Sequence, residues 1–272
     1  MSPFRAARPG TLPDPSQGLL AGVRLPSGIL VSPDPSFASS SSGPVLWITR
    51  EPVARVGALW REMALHFSEH GLWPLVLESL GGADERPWLS GELDPSRSSS
   101  PGRHDVTAVL TEQWGQVVPV PEEEAAALEP LAPFGRDFPG LAPASVGPAV
   151  ADAPVAVTAG MDGRLGLVPV TRPADGLAAL GWSGPVNHYG DMGLLSAVLQ
   201  SWEDRFEAFL VGVGFDTMML AVQRPPRDVK LATAIAAEHF AMCSDNIHQG
   251  AGSIEQYAVD LVGQNAWGFW WD

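Results

Sequence analysis

The stretch Phe209-Leu-Val-Gly-Val-Gly-Phe-Asp-Thr-Met-Met-Leu-Ala-Val222 decides the fold. Phe209 to Phe215 and Met218 to Val222 are short apolar runs of strand-favouring residues, joined tightly around Asp216 and Thr217, so they read as neighbouring buried strands. Gly212 and Gly214 within the first run point to a bulge or a close backbone approach. Upstream, Asp191 can cap a helix whose Leu194, Leu195, Val198, Leu199, Trp202 and Phe206 share one face. Before it lie a strand at Leu165 to Val170 and a short helical segment around Ala174 to Leu180 that ends at Gly181. Downstream, helices are expected from about Val229 to Met242 and from about Ile254 to Val262, and an aromatic strand at Trp267 to Trp271 closes the run. The order β-α-β-β-α-β with an extra helix is that of a ferredoxin-like split β-α-β sandwich.

The preceding region reads as a smaller α/β unit, so the chain as a whole is of the α/β (α+β) class. Val45 to Thr49 and Leu72 to Glu78 are strand-like, and between them Val56, Leu59, Trp60, Met63 and Phe67 fall at helical spacing, giving a β-α-β unit. A further helix fits His104 to Val118. Residues 1–28 are rich in Pro, Gly and Ser without a sustained period and read as a flexible arm, which leaves residues 29–118 as the N-terminal α/β region. Residues 119–163 hold eight prolines and the acidic cluster Glu122 to Glu124, and read as an interdomain linker with a short helix at Glu122 to Leu128. Residues 164–272 then form the C-terminal domain.

Charge narrows the function classes. The net charge is −15, with 10 basic against 19 acidic residues in positions 1–163 and 6 against 12 in positions 164–272. A surface so acidic, with no basic stripe, repels phosphate backbones and anionic lipid, so neither nucleic acid nor membrane is an expected partner, whereas a basic protein is. Lys230 is the sole lysine, and the abundance of Arg, Ala, Gly and Pro points to a GC-rich bacterial genome. Gly18 to Leu30 is broken by Arg24 and Pro26, so no signal peptide is read there, and the single cysteine, Cys243, excludes an internal disulfide. A cytoplasmic protein is expected.

Several short motifs in the C-terminal region occur together. They are Leu167 to Leu177 (LVPVTRPADGL), Ser201 to Phe206 (SWEDRF), Val211 to Asp216 (VGVGFD), Glu238-His239 with Cys243-Ser-Asp245, and Trp267 to Asp272 (WGFWWD). In this order they resemble the bacterial domain-of-unknown-function family 4253 over roughly residues 164–272. The N-terminal half also resembles the region that precedes this domain in longer members. The resemblance implies no activity, substrate or cofactor.

The densest polar cluster is Glu238, His239, Cys243 and Asp245, with His248 just beyond. His239 and Cys243 are one helical turn apart, and a thiol beside an imidazole and a carboxylate is the raw material of a cysteine nucleophile. Against this, Cys243 sits near a helix C-terminus, where the dipole disfavours thiolate, and its helix is apolar around most of its circumference. The same side chains include metal-ligand types, but at no recognised spacing, so neither a metal nor another cofactor is assigned. Glu62, His66 and His70 stand at four-residue steps on the first helix and read as a solvated edge. Trp202, Glu203, Arg205 and Asp216 are candidate ligand contacts. The sequence therefore supports a non-enzymatic interaction module, immunity-like or regulatory, over the alternative of a small hydrolase or transferase built on Glu238, His239, Cys243 and Asp245.

Overall fold

A computed structural model describes residues 4, 6–16, 18–40, 43–118 and 125–272. The chain is mixed α/β, as expected. A hairpin of β1 (Leu19–Leu20) and β2 (Val23–Arg24) precedes β3 (Gly28–Val31) and β4 (Leu46–Thr49). The apolar stripe on residues 56–67 forms α1 (Val56–Leu65) and α2 (Phe67–His70), and burying it brings β5 (Leu72–Leu77) beneath. Then come α3 (Val106–Val117), α4 (Ala153–Ala159), β6 (Arg164–Pro169), α5 (Gly176–Leu180) and α6 (Met192–Phe206). The deciding hairpin is β7 (Ala208–Val213) with β8 (Thr217–Val222), followed by α7 (Val229–Met242), α8 (Ile254–Leu261) and β9 (Ala266–Trp270). The glycine signal in the hairpin corresponds to a register shift between Leu210 and Gly212.

Seven strands make one sheet in the order β3-β4-β6-β5-β7-β8-β9, antiparallel throughout except for the pair β5 and β7. This order corrects the ferredoxin-like expectation. The C-terminal strands do not form a split β-α-β unit, because β7, β8 and β9 run as antiparallel neighbours and β6 is separated from them by β5. A split unit exists elsewhere: β4 and β5, joined through α1, both pair antiparallel with β6, which fills the gap between them. Sequence order alone carries no information about which strand enters such a gap.

The boundary expected near residue 164 therefore falls inside a continuous sheet. Nor does the expected linker stand apart. The N–H of Ala142 reaches Glu238, Ser145 N–H bonds the Arg205 carbonyl, and Val150 N–H bonds the Gln223 carbonyl, while α4 packs against α1. A Cβ on Gly57 of α1 would stand 2.6 Å from the Thr158 carbonyl oxygen of α4. The described residues of the expected arm are also docked: Ala7 N–H bonds Thr171, Gly10 N–H bonds Gly71, and the Phe4 ring meets Trp73 and Phe209 edge-on at 5.0 and 4.9 Å. Such segments are fixed by backbone hydrogen bonds and single anchors, which leave no periodic trace. Of the short helix expected at 122–128, residues 122–124 lie outside the described residues, and Ala125–Leu131 is a 3-10 helix.

Over β7, β8 and β9 the two faces of the sheet are covered unequally. On one side α6 and α7 bury Trp202, Phe206, His239, Trp267 and Phe269 against one another. On the other, α4 and the Met161 side chain cover β7 and part of β8.

Candidate functional site

Glu238 and His239 project from the last turns of α7 into the interior, and both are fully buried. Glu238 Oε1 accepts from Ala142 N and Arg205 Nη1, both at 2.6 Å; Oε2 accepts from Trp202 Nε1 at 2.8 Å and Arg205 Nη2 at 2.6 Å. Arg205 also donates to the Ala142 carbonyl. Three of the expected site residues, Trp202, Arg205 and Glu238, thus form one ion-paired bolt that joins α6, α7 and the irregular strap before α4. Each carboxylate oxygen already holds two donors, so the group is committed to structure.

His239 is enclosed by Trp202, Trp267 and Phe269, with Nδ1 3.2 Å from the Tyr257 hydroxyl. Burial, with Arg205 adding repulsion, pushes its pKa down to about 3, so the ring is neutral near pH 7. Cys243 is also buried, and its thiol donates to the Trp270 carbonyl at 2.9 Å and lies 3.5 Å from Asn246 Oδ1. Burial pushes the thiol up to about 12. Although the Cys243 N–H bonds the His239 carbonyl, no side-chain hydrogen bond joins imidazole and thiol among the described residues.

The role of Cys243 follows from the strand it touches. Asn265 O and Trp271 N bond to β8 and its preceding turn, so the alternating residues Gly268 and Trp270 turn their backbone groups outward from the sheet edge. Asn246 Nδ2 donates to the Gly268 carbonyl at 2.8 Å and the Cys243 thiol to that of Trp270. These side chains close the edge of β9, which would otherwise offer a pairing template.

Asp245 accepts from the Asp272 N–H at 3.1 Å and stands 4.0 Å from His188, while His248 meets the Phe240 ring. The four candidate catalytic residues therefore each serve a different local structure. No three His, Cys, Asp or Glu side chains converge as metal ligands among the described residues. On the first helix, His66 pairs with Glu69, and His70 accepts from the Leu72 N–H. Glu203 pairs with Arg172 at 2.8 Å and accepts from the Ala174 N–H, clamping α6 to the loop after β6; its burial outweighs these partners and pushes its pKa up to about 7.

Asp216 opens onto a cavity. The loops that follow β5 and β7, the parallel pair, bound a cleft of about 530 Å³ at their carboxyl ends, a common place for ligand contacts in α/β sheets. Its polar wall carries Arg86, Glu92, Asp94, Arg97, Asp216 and Asp272, and its apolar wall Phe37, Phe215 and Trp271. Arg86 grips Glu92 through two hydrogen bonds of 2.6 and 2.7 Å and lies 4.9 Å above the Phe215 ring. Asp94 accepts from Ser39 and Ser96. Among the described residues no ion pair or hydrogen bond reaches the side chains of Asp216, Asp272 or Arg97, although the Asp272 backbone bonds Asp245 and His188. Four carboxylates against two guanidiniums leave the cleft net anionic. Most of this wall lies on irregular segments about 120 to 180 residues from Asp216 or at the last residues of the sequence, where no spacing rule could have joined it to Asp216.

Residues 164–272 match the family model described as Domain of unknown function (DUF4253). No curated protein and no solved structure matches the chain. The DUF4253 span carries all eight candidate residues, together with β6 to β9. It does not carry β5, the Ala142 strap, or the cleft residues from Phe37 to Arg97, all of which precede it.

Proposed function

We propose that this chain is a non-enzymatic protein-interaction module, immunity-like or regulatory, acting in a bacterial cytoplasm and engaging a basic partner through the cleft at Asp216. The observation that carries the reading is the composition of that cleft: Asp216 and Asp272, which form no ion pair among the described residues, stand beside Phe37, Phe215 and Trp271, a surface complementary to a lysine or arginine side chain with its apolar stem. The overall charge of −15 adds long-range attraction for such a partner. The rival hydrolase or transferase reading loses support, since a thiol near 12 supplies almost no thiolate at neutral pH and Glu238 has no lone pair to spare.

Fluorescence anisotropy with glycine-spaced peptides carrying Lys-Phe or Arg-Trp pairs tests the reading, with Glu-Phe peptides as controls. Basic peptides should bind, weaken from low to physiological salt, and fail to bind an Asp216→Lys/Asp272→Lys variant. Equal binding of acidic and basic peptides, or indifference to the charge reversal, would sink it.

A further inference from the structure

The incompletely covered face of β7, β8 and β9 holds a second cavity, independent of the cleft. It is a groove of about 570 Å³ lined by Glu78, Met161, Gly212, Thr217, Met219 and Trp270, among others. Pairing of Gly212 with Met219 and of Met219 with Gly268 sets one row across the three strands in which a methionine lies between two glycines; Thr217 and Trp270 form the next row. The floor is therefore shallow and apolar. A Cβ on Gly212 would stand 2.2 Å from the Met161 methyl, so Met161 closes the groove over β7. Two thioethers give it walls that adapt to the shape of an occupant. The volume falls in the range, roughly 300 to 1,000 Å³, in which small molecules are held.

The charged group that lines the groove is Glu78, which follows β5 and sits beside Gly214, whose built Cβ would be 3.8 Å from that of Glu78. No cation and no hydrogen-bond donor among the described residues engages the Glu78 carboxylate. The residue stays accessible to solvent, and desolvation by its neighbours, with repulsion from the nearby Asp162, raises its pKa. The strands of the floor are paired to one another on both sides of β8, so their backbone groups are committed and cannot bind an added peptide strand from above. The groove thus offers side chains only: an apolar bed with anionic charge at one place. We propose that it binds a small organic cation of the alkylamine or arylamine class, with the apolar body over Met219 and against Trp270 and the ammonium at Glu78.

Three probes with one apolar body separate charge from hydrophobicity: hexylamine, hexanol and hexanoate, followed by the backbone amide resonances of Gly212, Gly214 and Gly268. Hexylamine should shift these amides saturably, with hexanol weaker and hexanoate without effect. Glu78→Gln should weaken hexylamine roughly tenfold, the scale of a lost hydrogen bond to a charged group. Gly268→Val, whose Cβ would meet the Met219 methyl at an ordinary 3.4 Å, should fill the floor and abolish binding. Melting temperatures of both variants report that the fold is intact. Equal binding of hexanol, no loss in Glu78→Gln, shifts confined to other residues, or binding of a glycine-flanked lysine peptide in place of hexylamine would each overturn the proposal.

Discussion

Glu238 holds four hydrogen bonds while shut off from solvent, and the stability of the molecule depends on its never being left half-paired. In a Glu238→Ala variant the Arg205 guanidinium, whose side chain is only 14% exposed, would face the interior without its counter-ion. Breaking a buried pair in this way costs about 3 to 5 kcal/mol, and Glu238→Leu combined with Arg205→Met should recover most of it, since a packed apolar replacement is often neutral. Urea unfolding midpoints of the two variants check both statements. His239 gives a signed pH dependence. Its folded-state pKa of about 3 lies below the ordinary 6.5, so between these values the unfolded chain binds more protons. Its contribution to stability is complete above pH 6.5 and is lost as pH falls toward 3, with a slope approaching about 1.4 kcal/mol per pH unit. Glu203, raised from 4.5 to about 7, acts oppositely: its contribution is full below pH 4.5 and declines as pH rises through 7. Denaturation across this range should show a shallower acid loss in His239→Phe than in the parent, and parallel curves would contradict the assignment.

At the scale of elements, β9 joins the core to the sheet edge. Trp267, Phe269 and Trp271 are each at most 3% exposed, and burying a large apolar side chain contributes about 1.5 to 3 kcal/mol. Deleting residues 267–272 should therefore remove most of the margin of about 5 to 15 kcal/mol that keeps a domain folded, leaving no cooperative thermal transition. A melting temperature equal to that of the intact chain would show the strand to be dispensable. The alternation of these aromatics was visible in the sequence, as were the bounds of α7 and the stripe of α6, because burial on one side imposes a period of its own. Strand pairing was not visible. Nothing in the run Arg164–Pro169 says that it will slide between Leu46–Thr49 and Leu72–Leu77. The site divides in the same way. The burial of Cys243 followed from its apolar helix, but its contact with the Trp270 carbonyl joins residues 27 positions apart, and the cleft assembles loops that share no pattern.

For the whole molecule, the insertion of β5 between β6 and β7 makes the two halves of the chain interdependent. A fragment of residues 164–272 lacks the strand that connects β6 to β7 and should not unfold cooperatively when expressed alone, whereas co-expression with residues 1–163 should restore a single transition; calorimetry distinguishes the two cases. Cooperative unfolding of the isolated fragment would show that β5 can be replaced. The same insertion sets a timetable for a ribosome making this protein. When Leu77 has emerged, β4 and β5 stand parallel with an unfilled slot between them, and the strand that fills it begins only at Arg164. At synthesis rates of about 5 to 20 residues per second, that slot stays open for roughly 4 to 17 s. Throughout that interval the nascent chain presents two bare, strongly apolar strand edges to every other polypeptide nearby, so the yield of native protein in a cell should depend more on chaperone supply and elongation speed than on the stability of the finished fold.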